Sequence, residues 1–195
     1  SPWFGVLCMK GYVEPMLSMY SWAAIYTLLT YYKVYPQQHW RKWVCGLMCG
    51  FALGTKYSAV IMLLVPAVSL IFLFNRLTLK SVNHTIIVLS ICAIAYLPWA
   101  IRNALNTGNP FYPLLNSVFH SPLLTDEQYA RFVQAHSPPE IGIGHCIRKL
   151  RQIFFETKYA HPVLVVGLGL SLFCIKEGPI VFRLWGLLVS GFLLW

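Results

Sequence analysis

The sequence predicts an all-α polytopic membrane protein, with about six transmembrane helices and one long external loop carrying short amphipathic helices. Three observations carry that expectation. Of 195 residues, 57% are hydrophobic and only 11% charged, where ordinary globular chains carry about 25% charged residues. The apolar residues fall in runs near the ~20 residues that cross a bilayer. Between them lie short intervals rich in Lys and Arg, and one long interval rich in aromatics. Fifteen Lys and Arg against six Asp and Glu give a formal net charge of +9. In so apolar a chain this charge belongs to cytoplasmic loops and lipid phosphates, not to nucleic acid.

The first expected span is 15–32. Glu14-Pro15 is a good helix start, since proline suits the first turn and a carboxylate meets the positive end of the dipole. An acid at the mouth of a span is also a functional candidate. The next interval, KVYPQQHWRK over 33–42, is basic without an acid and is expected to be cytoplasmic, with His39 solvated in it.

Residues 43–74 are too long for one span. A single helix would run about 48 Å against a hydrocarbon core of about 30 Å. Two helices, 43–54 and 57–74, turning near Lys56 resolve this; the alternative is a snorkelling lysine on one tilted helix. Gly50 and Gly54 form a small-xxx-small face for close packing. Cys45 and Cys49 share a helix face, and Cys92 and Cys174 also lie in apolar segments. No His or acid accompanies the Cys45/Cys49 pair, so buried thiols are expected and no metal site.

Residues 75–81 form a second basic, cytoplasmic interval, and 82–99 is a clean span closed by Pro98 and Trp99. The external loop is expected over 100–160. Arg102 and Asn103 place a cation and an amide one turn past the span. Thr107-Gly108-Asn109-Pro110 is a turn, because Gly supplies positive φ and Pro holds Asn109 extended. Phe111, Tyr112, Pro113 and Phe119 follow. This is an interfacial anchor at least; more sharply, Arg102 can meet an anionic headgroup or phosphate, which its planar fork suits. Thr125-Asp126-Glu127-Gln128 is a capping box for a short helix through Ala135, broken by Ser137-Pro138-Pro139. His145 to Lys158 reads as an amphipathic helix suited to a bilayer surface. Two further spans, 161–175 and 184–195, flank a short cytoplasmic turn at 176–183. The chain opens on Ser1 and closes within an apolar run, so an internal piece of a larger protein is expected.

The order of an acid, a span, a basic loop, G-x-x-x-GTKYSA at Gly50–Ala59, two apolar runs and PWAIRN…TGNPFYP at Pro98–Pro113 resembles the integral-membrane glycosyltransferases of the GT-C class. In particular it is similar to bacterial relatives of the dolichyl-phosphate-mannose protein mannosyltransferases and of the aminoarabinose-lipid A transferase. The resemblance implies transfer of a sugar, with inversion, from a polyprenyl-phosphate carrier to an acceptor glycan, lipid or protein. It places that reaction on the non-cytoplasmic face of a bacterial inner membrane. The family's usual general base lies in an external loop upstream of this sequence, so no base carries over. Glu14 matches the acid ahead of a later span, where Asp is commoner, and Lys56 matches the motif lysine.

Chemically, Lys56 and Arg102, with Asn103, are the candidates for binding the carrier phosphate, whose negative charge grows as it leaves. The catalytic residue is not identified, and Glu14 is the candidate for that set, a carboxylate able to orient a cation or hydrogen-bond the sugar or acceptor. No cofactor is evident in the sequence, and a divalent metal is compatible with this chemistry. Two other readings fit the spans and Lys56: a membrane transporter or lipid-flippase component, and an O-antigen ligase or polymerase type of enzyme. An acid in an upstream external loop would favour the GT-C reading over both.

Overall fold

The computed structural model describes residues 12–137 together with Gly144, Ile147 and Arg148. Helix α1 runs Glu14–Lys33 with proline in its first turn, and α2 runs Trp40–Thr55. A π-helical segment, Val60–Leu64, leads into α3, Val65–Asn75. Helix α4 runs Leu79–Thr107, α5 Asn116–Phe119 and α6 Asp126–His136. No strand occurs among the described residues.

Glycine sets how α2 and α4 meet. A Cβ on Gly46 would lie 2.7 Å from the Val88 carbonyl oxygen, and one on Gly50 would lie 2.5 Å from both Ala95 Cβ and the Cys92 carbonyl oxygen. A Cβ on Gly54 would stand 4.0 Å from Trp99. The partners climb α4 as the glycines climb α2, so the two helices run parallel and in close approach. Helix α1 runs the other way, because Glu14 at its start meets Lys56 beyond the end of α2. At its far end Tyr32 meets His84 near the start of α4 and stacks on Phe74 near the end of α3. The core between these helices is built from Ala24 and Leu28, Cys45, Cys49 and Ala52, Leu63, Ala67 and Ile71, and Val88 and Cys92. Its three cysteines are buried free thiols.

The expectation of about six transmembrane helices is corrected. Among the described residues one helix, α4, is long and apolar enough to cross a membrane. Helix α1 has 20 residues, but Ser18, Ser21, Thr27, Thr30 and four tyrosines dilute its apolar character. Helix α2 has 16 residues, a rise of only about 24 Å. Val60–Asn75 is a shorter apolar helix of the same kind. Apolar runs in this chain therefore serve helix-to-helix packing as well as any bilayer, and a residue count cannot separate the two uses. The expected spans 161–175 and 184–195 lie outside the described residues.

Helix α4 differs from a soluble core helix in its exposure. Only 22% of its apolar window is buried, and Ile86, Leu89, Ile94 and Leu97 are exposed. It also overruns the expected boundaries 82–99. Its start is fixed by a capping box between Thr78 and Ser81, and it continues through Pro98 to Thr107, where Gly108 at φ 74° ends it. Pro98 lacks the N–H that would bond the Ile94 carbonyl, yet the helix runs on through it. Residues 100–107 are thus helix rather than loop. Thr125 caps α6 as the capping-box chemistry requires, its hydroxyl accepting from the Gln128 amide N–H at 3.3 Å. The amphipathic helix expected over His145–Lys158 lies outside the described residues, apart from Ile147 and Arg148.

Candidate functional site

The site grows out of the break between α2 and the π segment. Helix α2 stops at Thr55 because Lys56 takes an extended backbone, with φ −159° and ψ 129°. The next residues turn at once, Ala59 N–H donating to the Lys56 carbonyl at 3.0 Å. This kink carries the Lys56 side chain out of the helix row and toward the start of α1. There its ammonium donates to Glu14 Oε1 at 3.0 Å. The two side chains keep 40% and 37% of their surface exposed, so the pair is open on one side. Its other side is closed: Glu14 Oε2 is buried and has no hydrogen-bond partner, and neither has the buried Ser58 hydroxyl.

The Lys56 ammonium, through its hydrogen bond first, holds the Glu14 carboxyl below its ordinary 4.5. A carboxyl whose folded pKa is depressed adds stability above its unfolded pKa and loses it as pH falls through the folded value. For so exposed a pair the contribution is under about 1 kcal/mol. The thermal stability of wild type over Glu14→Gln should therefore be a small margin at neutral pH that vanishes in acid below the ordinary carboxylate range. A margin that instead grew on acidification would show that Glu14 is not held as the anion.

Beside the ion pair, Tyr57 ties three parts of the chain together. Its hydroxyl donates to the Tyr112 carbonyl at 3.0 Å and accepts from Asn103 Nδ2 at 3.2 Å. Tyr96 donates to the Pro110 carbonyl at 3.1 Å, its oxygen lying 3.4 Å from that of Tyr57. The rings of Tyr96 and Phe111 stack, with centroids 6.1 Å apart. The loop they grip is stiffened from within by Asn109. Its side chain donates to the Leu114 carbonyl at 2.7 Å and accepts from the Phe111 N–H at 2.8 Å, the local turn for which asparagine is suited. GTKYSA and TGNPFYP, distant in sequence, are thus one structural contact.

The four candidate residues are not gathered equally. Glu14 and Lys56 are paired, and Asn103 joins them through Tyr57, the neighbour of Lys56. Arg102 is exposed, and its guanidinium lies over the Trp99 ring at 5.1 Å from the centroid. Because α4 continues through both, Arg102 and Asn103 point about 100° apart, so Arg102 does not share the inward face of Asn103. Tyr57, Tyr96 and Asn109 were not among the candidates. Tyr57 could have been found from its place directly after the only lysine in an apolar run. Among the described residues, no group of three or more His, Cys, Asp or Glu is placed to hold a metal ion.

A family model described as a domain of unknown function (DUF8201) matches residues 15–138. No curated protein and no solved structure matches the chain. The matched stretch includes Lys56, Tyr57, Tyr96, Asn103 and Asn109, and it starts one residue after Glu14.

Proposed function

We propose that the Lys56 end of this chain, which belongs to that family, holds the phosphate of a polyprenyl-phosphate-linked sugar within a membrane glycosyltransferase, a reading that rests on the resemblance of its motifs to the GT-C class. The observation that supports the reading is the Glu14–Lys56 pair, half open, with one carboxylate oxygen buried and unpartnered beside it. An incoming phosphate can take the exposed side of the Lys56 ammonium. Glu14 Oε1 holds that ammonium in place from the other side. In the transfer, the bond from the anomeric carbon to the phosphate oxygen breaks and its electron pair stays on the phosphate. The acceptor oxygen bonds the carbon from the opposite face and gives up its proton to a base outside these residues. Lys56 opposes the charge that grows on the phosphate. The basic residues at the N-terminal end of α4 favour a cytoplasmic position for that end, leaving Lys56 on the non-cytoplasmic side of what the resemblance makes a bacterial inner membrane.

Chemical protection tests the site directly. Acylation of Lys56 by a water-soluble amine reagent, read by mass spectrometry on the purified full-length protein, should slow several-fold with a short-chain polyprenyl phosphate. The same concentration of the matching polyprenol, which lacks the phosphate, should leave the rate unchanged. Equal rates in all three conditions would exclude phosphate binding at Lys56.

A further inference from the structure

The opposite end of the helix cluster carries a second polar group that the proposed transfer does not use. There α2 and α4, being parallel, bring their N-termini to the same side. Each puts cations in its first turn, Arg41 and Lys42 in α2 and Lys80 in α4, and neither has an acid there. A helix N-terminus is the positive end of its dipole and favours anions. Both helices therefore carry the wrong sign of charge for their own dipoles. Among the described residues no acid pairs with these cations: none occurs between residues 15 and 125, and the ion pairs present are Glu14 with Lys56 and Glu127 with Arg131.

Lys42 is the informative residue. It is 5% exposed, and its ammonium lies over the Tyr31 ring at 4.9 Å from the centroid, with no hydrogen bond to it among the described residues. Burial, with the charge of Lys80 nearby, pushes its pKa down. Around it stand Tyr31 and Tyr32 of α1, His39 ahead of α2, and Lys80 and His84 of α4. His84 is buried, its Nδ1 2.8 Å from the Tyr32 hydroxyl, and His39 Nδ1 is 3.3 Å from the Tyr31 hydroxyl. Arg41 is engaged elsewhere, donating to Gln38 Oε1 and Thr30 Oγ1 at 2.8 Å each. A buried cation among neutral rings and other cations is costly unless an anion joins it.

We propose that Lys42 and Lys80, at the paired N-termini of α2 and α4, bind a phosphate group, and that its source is the headgroup of an anionic phospholipid. The surroundings favour a lipid. The site lies at one end of the helix able to cross a membrane, where Leu77 and Leu79 are each 89% exposed and Trp40 and Trp43 are also exposed. Apolar and aromatic side chains around basic ones are the composition of a bilayer interface.

The test titrates the purified full-length protein, in neutral detergent, with short-chain phosphatidylglycerol, short-chain phosphatidylcholine and inorganic phosphate, reading occupancy by native mass spectrometry. Phosphatidylglycerol should bind about 10-fold more tightly than phosphatidylcholine. Lys42→Met keeps the apolar stem on Tyr31 and removes the charge. It should weaken phosphatidylglycerol binding by about 10-fold without lowering the melting temperature. Lys80 is exposed, so Lys80→Gln leaves the fold intact and should weaken binding in the same direction; it decides the matter alone if Lys42→Met does not fold. Displacement of phosphatidylglycerol by an equal concentration of inorganic phosphate would support the phosphate site but make free phosphate its ligand. Equal phosphatidylglycerol affinity in wild type and Lys80→Gln would overturn the proposal.

Discussion

Gly50→Val is expected to destabilise the protein by about 3 kcal/mol, the upper end of what overpacking costs. Valine would drive its Cβ to 2.5 Å from Ala95 Cβ and from the Cys92 carbonyl oxygen. One of these is backbone, so the neighbour cannot swing away as a flexible side-chain tip would. The helices must separate, and the Val88 and Cys92 contacts with α2 loosen with them. Gly54→Ala is the internal control. Its Cβ would meet only Trp99, at ordinary contact distance, and alanine is the better helix former by about 1 kcal/mol. Thermal melts of the two variants should thus move in opposite directions from wild type. A Gly50→Val protein that melts with wild type would mean that α2 and α4 do not pack at the distance described.

The second large effect is on turnover. On the proposed transfer, Lys56→Gln in the full-length protein should lower kcat and kcat/KM together by about 100-fold, the loss typical of removing one group that meets charge in the transition state. A rise in KM with kcat unchanged would make Lys56 a ground-state binder. Arg102→Gln should have a much smaller effect, because its guanidinium faces outward over Trp99. Turnover from a polyprenyl-phosphate sugar, normalised to folded protein, measures both. Should Arg102→Gln lose as much as Lys56→Gln, the phosphate lies on the outer face of α4 and not beside Glu14.

What could be read from the sequence, and what could not, divides along physical lines. Local chemistry was legible. A largely apolar run of thirty-two residues with one lysine is too long and too awkward for a single helix, and the break does fall at Lys56. Thr125 with Gln128, and Gly108 before Asn109, specify a cap and a turn whatever surrounds them. Tertiary uses of the same residue types were not legible. An apolar run says nothing of whether its partner is lipid or another helix, so the number of spans was overstated. Pro98 reads as a terminator only if the freed carbonyl cannot be satisfied, and α4 continues through it. Ending the helix at Trp99 also concealed that Arg102 and Asn103 face different ways. Tyr57 and Tyr96 look like ordinary core or interfacial aromatics until the loop after α4 folds back to meet their hydroxyls.

That meeting also bears on how the chain can change over evolutionary time. The Tyr57 oxygen serves an amide on α4 and a carbonyl in the next loop. Losing the hydroxyl strands both, each at the desolvation cost of an unmet polar group, about 1–3 kcal/mol. Positions 57 and 103 are therefore not free to drift separately. Replacing the tyrosine costs least when the asparagine goes with it, which couples the two motifs although some forty residues of helix lie between them.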